Sequence, residues 1–318
     1  MVTLRNRNHK REDYMQTILG TGGVIGNELA KILPQYTDKI RLVSRNPKAI
    51  NPTDELFKAD LSDASQTEDA VRNSEVVYLT VGLQYKFVVW QDLWPKIMTN
   101  VITACKKNNC RLVFFDNVYM YGKVNGWMKE NTPIHPSSKK GEVRAKIAEQ
   151  LMTEVKKGNI KALIARAADF YGNTSNSFLW STVFEKLRKG QSAQLLVNDK
   201  TKHSLTFTPD AARATALLGN TVSAYNRVWH LPTNKDAMTG RQFVEAVAAA
   251  YKVKPKYMVL KKWMLQMTGL FNPIIKEYVE MLYQQEYDYL FDSSDFENNF
   301  FKATDYHSGI IQIIDSSK

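Results

Sequence analysis

Three glycines at intervals of three stand where an apolar run meets an amphipathic one. Met15–Leu19 leads directly into Gly20-Thr21-Gly22-Gly23-Val24-Ile25-Gly26. Glycine at 20, 23 and 26 permits a tight turn, lets backbone approach a pyrophosphate, and lets the following helix pack close to the strand. That helix opens at Val24 and Ile25, where free N–H groups and the positive dipole end face an anion. An ordinary Gly-rich turn has the same composition. The strand before it and the helix after it point to dinucleotide binding. The next apolar run ends in Ser44-Arg45-Asn46-Pro47-Lys48. An acid at about this distance from the glycines binds the ribose hydroxyls of NAD. Arg45, seconded by Lys48, favours the 2′-phosphate of NADP instead, the alternative being a solvated loop charge.

These residues need a rigid frame, and the first half of the chain supplies one. Strands are expected at Met15–Leu19, Ile40–Val43, Glu55–Ala59, Val76–Thr80, Arg111–Phe115 and Ala162–Ala165. Helices are expected near Val24–Leu33, Gln66–Val71, Val89–Lys107 and Lys140–Lys156. This alternation predicts an α/β fold, a Rossmann-type doubly wound parallel sheet with its ligand crevice along the strand C-termini. After about Gly172 the rhythm changes. A helix at Phe178–Arg188 leads to short segments at Leu205–Thr208 and Arg227–Leu231, and Thr208-Pro209 reads as cap and first turn of a helix Asp210–Leu218. From Thr239 the chain reads as largely helical, with aromatics clustered between Tyr278 and Tyr289. The expected organisation is a dinucleotide domain over 14–175 with a return around 202–232. A smaller, mainly helical C-terminal domain takes 176–201 and 233–318.

The chain has 318 residues, 44% hydrophobic and 24% charged, the composition of an ordinary globular protein. No apolar run approaches the length that spans a bilayer, and Met1–Tyr14 lacks the apolar core of a secretory signal. Two cysteines, Cys105 and Cys110, are too few for a disulfide framework or a zinc site, and a cytoplasmic location is expected. The net charge is +11, with a basic cluster from Arg5 to Arg11. No zinc-finger, helix-turn-helix or RNP-type pattern accompanies it, so no nucleic-acid partner, membrane or metal is expected, and a solvated basic surface is the simplest reading.

Further segments carry a resemblance. They are Ala59-Asp60-Leu61, Leu79-Thr80-Val81-Gly82, Asn100-Val101, Phe114 to Tyr121-Gly122, and Ile164-Ala165-Arg166 through Tyr171-Gly172. With the glycine loop, they make the chain resemble the extended short-chain dehydrogenase/reductase superfamily, in particular its NAD-dependent epimerase/dehydratase proteins. The resemblance implies that Asp60 and Leu61 hold the adenine, and that Thr80, Val81 and Gly82 pass beneath the cofactor. It also implies a Ser or Thr at the end of the fifth strand and a Y-x-x-x-K pair on the next helix for proton chemistry. Here the first position holds Asn117, and carrying the family spacing onward without gaps puts Glu142 and Lys146 at the other two. Tyr119 and Lys123 also match Y-x-x-x-K, but in a strand-end segment where that spacing does not stack two side chains.

The resemblance therefore implies an NADP(H)-dependent oxidoreductase or epimerase, working by hydride transfer on a small carbonyl or hydroxyl compound with a non-standard catalytic set. In that set Tyr119 would be the proton donor, Asn117 the orienting group, Lys146 the ribose ligand and Glu142 a relay. The alternatives are a buried aromatic at Tyr119, a loop tie at Asn117 and a helix-surface ion pair at Glu142 and Lys146. Lys140 and Arg144 share another strip of that helix and could bind an anion or face solvent. Asp169 stands where sugar-nucleotide enzymes commonly place Asn, and an acid there would repel a diphosphate. His135 and His203 carry weaker signals. The different-class alternative is a non-catalytic NADP(H)-binding protein that reports redox state. A homodimer through the helices Val89–Lys107 and Lys140–Lys156 is a further expectation, the first carrying an apolar stripe (Trp90, Trp94, Ile97, Val101, Ala104) that could equally be its core-facing side.

Overall fold

The computed structural model describes residues 14–172 and 178–317. The basic cluster Arg5–Arg11 and the expected boundary at 175/176 lie outside them. Strands and helices alternate as β1 (Met15–Leu19), α1 (Val24–Ile32), β2 (Ile40–Ser44), β3 (Glu55–Lys58), α2 (Ala64–Val71), β4 (Ser74–Leu79), α3 (Phe87–Lys107), β5 (Arg111–Asp116) and α4 (Lys139–Lys156). The central sheet is seven-stranded and parallel throughout. Its order is Val228–His230, Ala162–Arg166, β5, β4, β1, β2, β3.

Both faces are covered by helices, which is why the inner strands are near-continuous apolar runs. The polar exceptions on β1 are satisfied: Gln16 Oε1 accepts from the Tyr78 hydroxyl at 2.8 Å, and the Thr17 and Ser74 hydroxyls lie 2.6 Å apart. On one face α3 and α4 bring Trp94, Ile97, Val101, Ile147 and Leu151 to the sheet. On the other, α1 and the helix Thr208–Gly219 bring Leu29, Ala211 and Ala214. Because β1 pairs with both β2 and β4, the winding reverses there, and a crevice opens outside the C-terminal ends of β1 and β4.

The stripe read as a dimer surface proves to be internal. Trp90, Trp94, Ile97, Val101 and Ala104 are all buried in the core of their own chain. The outward strips of α3 and α4 are polar, joined by a 2.6 Å ion pair from Lys106 to Glu154 and a 2.9 Å bond from Gln150 to Thr99. That stripe leaves no apolar face for a partner.

In the second half, the helix Thr208–Gly219 begins one position earlier than a Thr208 cap requires. Phe207 is the cap residue, and Pro209 sits in the first turn where its missing N–H is not needed. A separate core gathers Phe184, Phe207, Phe243 and Ile310. The tail is mainly helical, interrupted by a strand, Tyr257–Leu260, that pairs in parallel with Ala193–Leu196. Among the described residues no helix is long and apolar enough to cross a membrane.

Candidate functional site

The glycine loop is held at backbone contact. Gly20 adopts φ +112°, and a Cβ on it would lie 2.6 Å from the Val81 backbone. A Cβ on Gly26 would lie 2.8 Å from Gly20 O and 3.0 Å from Thr80 Oγ1. Loop, α1 and the Thr80–Gly82 turn therefore fit only with glycine at these positions. Gly20 and Thr21 N–H both donate to Val43 O, and Gly22 N–H donates to Asn27 Oδ1 at 2.8 Å. The residue preceding α1 is Gly23, which offers no side-chain cap. The first-turn N–H groups at Val24 and Ile25 are thus left for a ligand, and this cradle fits a pyrophosphate.

Beyond it, Ser44 ends β2 half-buried, while Arg45 and Lys48 are exposed. Asp60 is held below the usual carboxylate range, chiefly by the N–H and hydroxyl of Ser62 and to a lesser degree by the Arg45 charge. Leu61 O accepts from Asn100 Nδ2 at 3.0 Å, tying α3 to this rim. Gly82 stands open at the crevice.

Next to the loop lies a cavity of about 370 Å³, walled by Val24, Tyr85, Tyr119, Asp169, His203 and Tyr278 among others. The Tyr119 ring stacks on Trp90, with centroids 6.2 Å apart, and Tyr85 is its neighbour on the cavity wall. The Tyr85 ring stacks in turn on Tyr278, with centroids 4.7 Å apart. Burial, reinforced by the neighbouring Tyr85 and Asp169, pushes the Tyr119 phenol well above its ordinary pKa. Burial thus keeps its hydroxyl protonated. Asn117 Oδ1 accepts from Tyr119 N–H at 3.1 Å and so ties down the turn that carries the phenol. His203 Nε2 and Asp169 Oδ2 are 2.9 Å apart on the opposite wall.

Glu142 and Lys146 are elsewhere. Both side chains are exposed on the outer strip of α4, with Lys146 beside Thr99, Thr103 and Glu149. The strip that faces β5 carries Lys140 and Arg144, the same four-residue spacing two positions earlier. Each helical residue turns about 100°, so a two-residue offset selects nearly the opposite face. The ungapped count crossed the loop between Gly122 and Ser138, where a small length difference suffices. Tyr119, Asn117 and the glycine loop are thus brought together, whereas Glu142 and Lys146 are not.

The inward pair is locked in place. Lys140 is completely buried; its Nζ lies 2.5 Å from Glu277 Oε2, 2.6 Å from Glu280 Oε1 and 4.7 Å from the Tyr85 ring centre. Glu277 also accepts from Phe87 N–H at the start of α3, and Glu280 from Lys139 N–H at the start of α4. One short helix, Pro273–Val279, is thereby pinned over the cavity.

Arg144 belongs to a buried polar chain that sequence reasoning missed. Its Nε donates to Asp116 Oδ1 at 2.8 Å, while Arg166 Nη2 donates to Asp116 Oδ2 at 3.1 Å. Arg166 Nη1 donates to the Tyr121 hydroxyl at 2.8 Å. That hydroxyl lies 2.7 Å from His230 Nε2, and His230 Nδ1 lies 2.8 Å from Asp292 O. The carbonyl accepts only, so Nδ1 carries the proton and Nε2 accepts from Tyr121.

Burial, with the Arg166 charge beside it, lowers the His230 pKa to about 3. The unfolded chain binds this proton below about pH 6.5 and the folded chain does not. Stability from His230 is therefore complete above about 6.5 and lost as pH falls toward 3, at up to about 1.4 kcal/mol per pH unit. Urea midpoints measured from pH 7 to pH 4 are expected to show this fall, and His230→Gln to flatten it. Equal slopes in both proteins would remove His230 as the cause.

A model of the NAD dependent epimerase/dehydratase family matches residues 17–229. No curated protein matches the chain in sequence. Solved structures similar to it include a UDP-glucose 4-epimerase from Thermus thermophilus in complex with NAD, 16% identical, with TM-score 0.76 over 95% of this chain and 98% of that one. A UDP-N-acetylglucosamine 4-epimerase from Methanobrevibacter ruminantium, in complex with UDP-N-acetylmuramic acid, is 16% identical with TM-score 0.77, covering 96% and 99%. A dTDP-glucose 4,6-dehydratase from Streptomyces venezuelae is 13% identical with TM-score 0.74, covering 95% and 96%. At such identities the likeness concerns the fold.

Proposed function

Because the chain belongs to the NAD dependent epimerase/dehydratase family, we propose that it is an NADP(H)-dependent oxidoreductase that reduces a small carbonyl compound in the cavity beside the glycine loop. The observation that carries this reading is the Tyr119 phenol on the wall of that cavity, kept protonated by burial and flanked by Tyr85. A bound nicotinamide supplies hydride. Tyr119 donates its hydroxyl proton toward the substrate oxygen, where negative charge develops, and regains one from solvent entering the cavity. The raised pKa makes the phenol a weaker acid but keeps it protonated at neutral pH, so its hydroxyl is available as a hydrogen-bond donor to an alkoxide, which is more basic still. Asn117 keeps the Tyr119 turn in register. Lys140 and Arg144 serve packing and charge balance, since their donors are engaged by Glu277, Glu280 and Asp116.

Relatives solved with NAD support a nicotinamide cofactor. Exposed Arg45 and Lys48 at the end of β2 support NADP(H) over NAD(H). Calorimetry is expected to show tighter binding of NADPH than of NADH, and Arg45→Asp to reverse the order. Equal affinities in the parent protein would overturn the assignment. One observation favours the second reading, a non-catalytic NADP(H)-binding regulator: Glu142 and Lys146, the positions that the family spacing gives to Tyr and Lys, are exposed on the outer face of α4. NADPH oxidation with a panel of small aldehydes and ketones separates the two. Tight NADPH binding with no turnover of any member selects the regulator.

A further inference from the structure

The helices Lys262–Gly269 and Pro273–Val279 form a hairpin whose outer side is strongly apolar. Trp263, Met267, Leu270, Phe271 and Ile274 all face solvent, Leu270 at 73% and Phe271 at 87% exposure. Trp263 and Met267 lie about one turn apart on the first helix, Leu270 and Phe271 in the turn between the helices, and Ile274 at the start of the second. From Lys252 to Lys276 the chain holds six lysines and no acidic residue. Lys262 pairs with Glu286, but Lys252, Lys254, Lys256 and Lys261 form no ion pair among the described residues.

We propose that this hairpin docks the protein on an anionic lipid surface, with Trp263, Leu270 and Phe271 entering the headgroup boundary and the flanking lysines facing the lipid charge. The combination of apolar tip and cationic flank is the pattern of an interfacial helix lying in the membrane plane, and needs no spanning segment. A second copy of the chain is a poor occupant. Face-to-face contact would oppose two acid-free lysine sets at short range. Lipid supplies opposite charge and a low-polarity layer together. The hairpin's inner side, at Tyr278, Met281 and Leu282, lines the cavity, so docking would place the cavity at the membrane surface. The proposal is independent of the cofactor assignment.

The test is co-sedimentation of the full chain with vesicles of phosphatidylcholine alone and of phosphatidylcholine containing phosphatidylserine, at low and high salt. Binding is expected with the anionic vesicles, declining sharply as salt rises. Leu270→Ser and Phe271→Ser are each expected to weaken it more than about tenfold, the cost of losing one buried large apolar side chain. Lys261→Gln and Lys276→Gln are each expected to weaken it about fivefold. NADPH affinity is the folding control, since these side chains are exposed and none lines the cavity beside the glycine loop. Absence of binding to anionic vesicles would overturn the proposal, as would binding that the four variants leave unchanged. Dimerisation in light scattering that Phe271→Ser abolishes, without lipid binding, would assign the face to a second copy instead.

Discussion

Tyr119→Phe is expected to slow carbonyl reduction about 10²–10⁴-fold while leaving NADPH affinity unchanged, the usual worth of a positioned proton donor. The substitution removes one hydroxyl from a ring whose packing against Trp90 stays intact. Among the described residues no hydrogen bond of the Tyr119 hydroxyl holds the fold, so the fold should tolerate the change. The parent rate should also hold steady across neutral and mildly alkaline pH, because burial raises the phenol well above its ordinary titration range. Single-turnover kinetics with calorimetry on the same samples separates chemistry from binding. Full activity in the Phe variant would end the acid role of Tyr119.

The largest effect on stability is expected at Asp116. Its carboxylate is fully buried and serves both Arg144 and Arg166. Asp116→Asn keeps the shape but leaves two buried guanidinium groups without a counter-charge. Removing one member of such a group costs about 3–5 kcal/mol, a large share of a domain's net stability. Urea unfolding should show this as a lowered midpoint with an unchanged slope. Replacing the three together, Asp116→Leu, Arg144→Met and Arg166→Met, should recover much of the loss, because no charge then remains to desolvate. An Asn variant as stable as the parent would mean that water reaches this group.

How much of this was legible in the sequence depends on how local each signal is. The glycine loop and its flanking strand and helix are contiguous, and the sheet with its covering helices follows from alternating apolar runs. Tyr119 and Asn117 stand next to Tyr121-Gly122, with no loop between, and the structure puts Tyr119 on the cavity wall with Asn117 tied to its turn. Glu142 and Lys146 were placed by a spacing carried across the Gly122–Ser138 loop, and the structure leaves both side chains exposed on the outer face of α4. The apolar spacing of Ile147 and Leu151 on α4 marks the buried face, and extending it backward would have reached Arg144 and Lys140. Their partners were beyond reach. Glu277 and Glu280 come from the far end of the chain, and nothing in their local sequence marks them as acceptors for Lys140. The polar chain from Asp116 to His230 is likewise made by tertiary proximity alone. Trp94 and Val101 show the converse: a helical stripe states which side is apolar, not what covers it.

The edge strand Val228–His230 also bears on the order in which the molecule can be made. It pairs with Ala162–Arg166, yet part of the cavity wall, from Asp169 to Thr208, and the helix Thr208–Gly219 intervene in the chain. A nascent chain emerging from the ribosome can complete six strands and bring Asp116, Arg144 and Arg166 together while this edge is still unpaired. Until His230 arrives, Tyr121 has no ring nitrogen to donate to and the edge of Ala162–Arg166 presents bare backbone groups. The last strand is thus both seal and plug, and a chain stalled before it would carry a finished nucleotide cradle on an adhesive sheet.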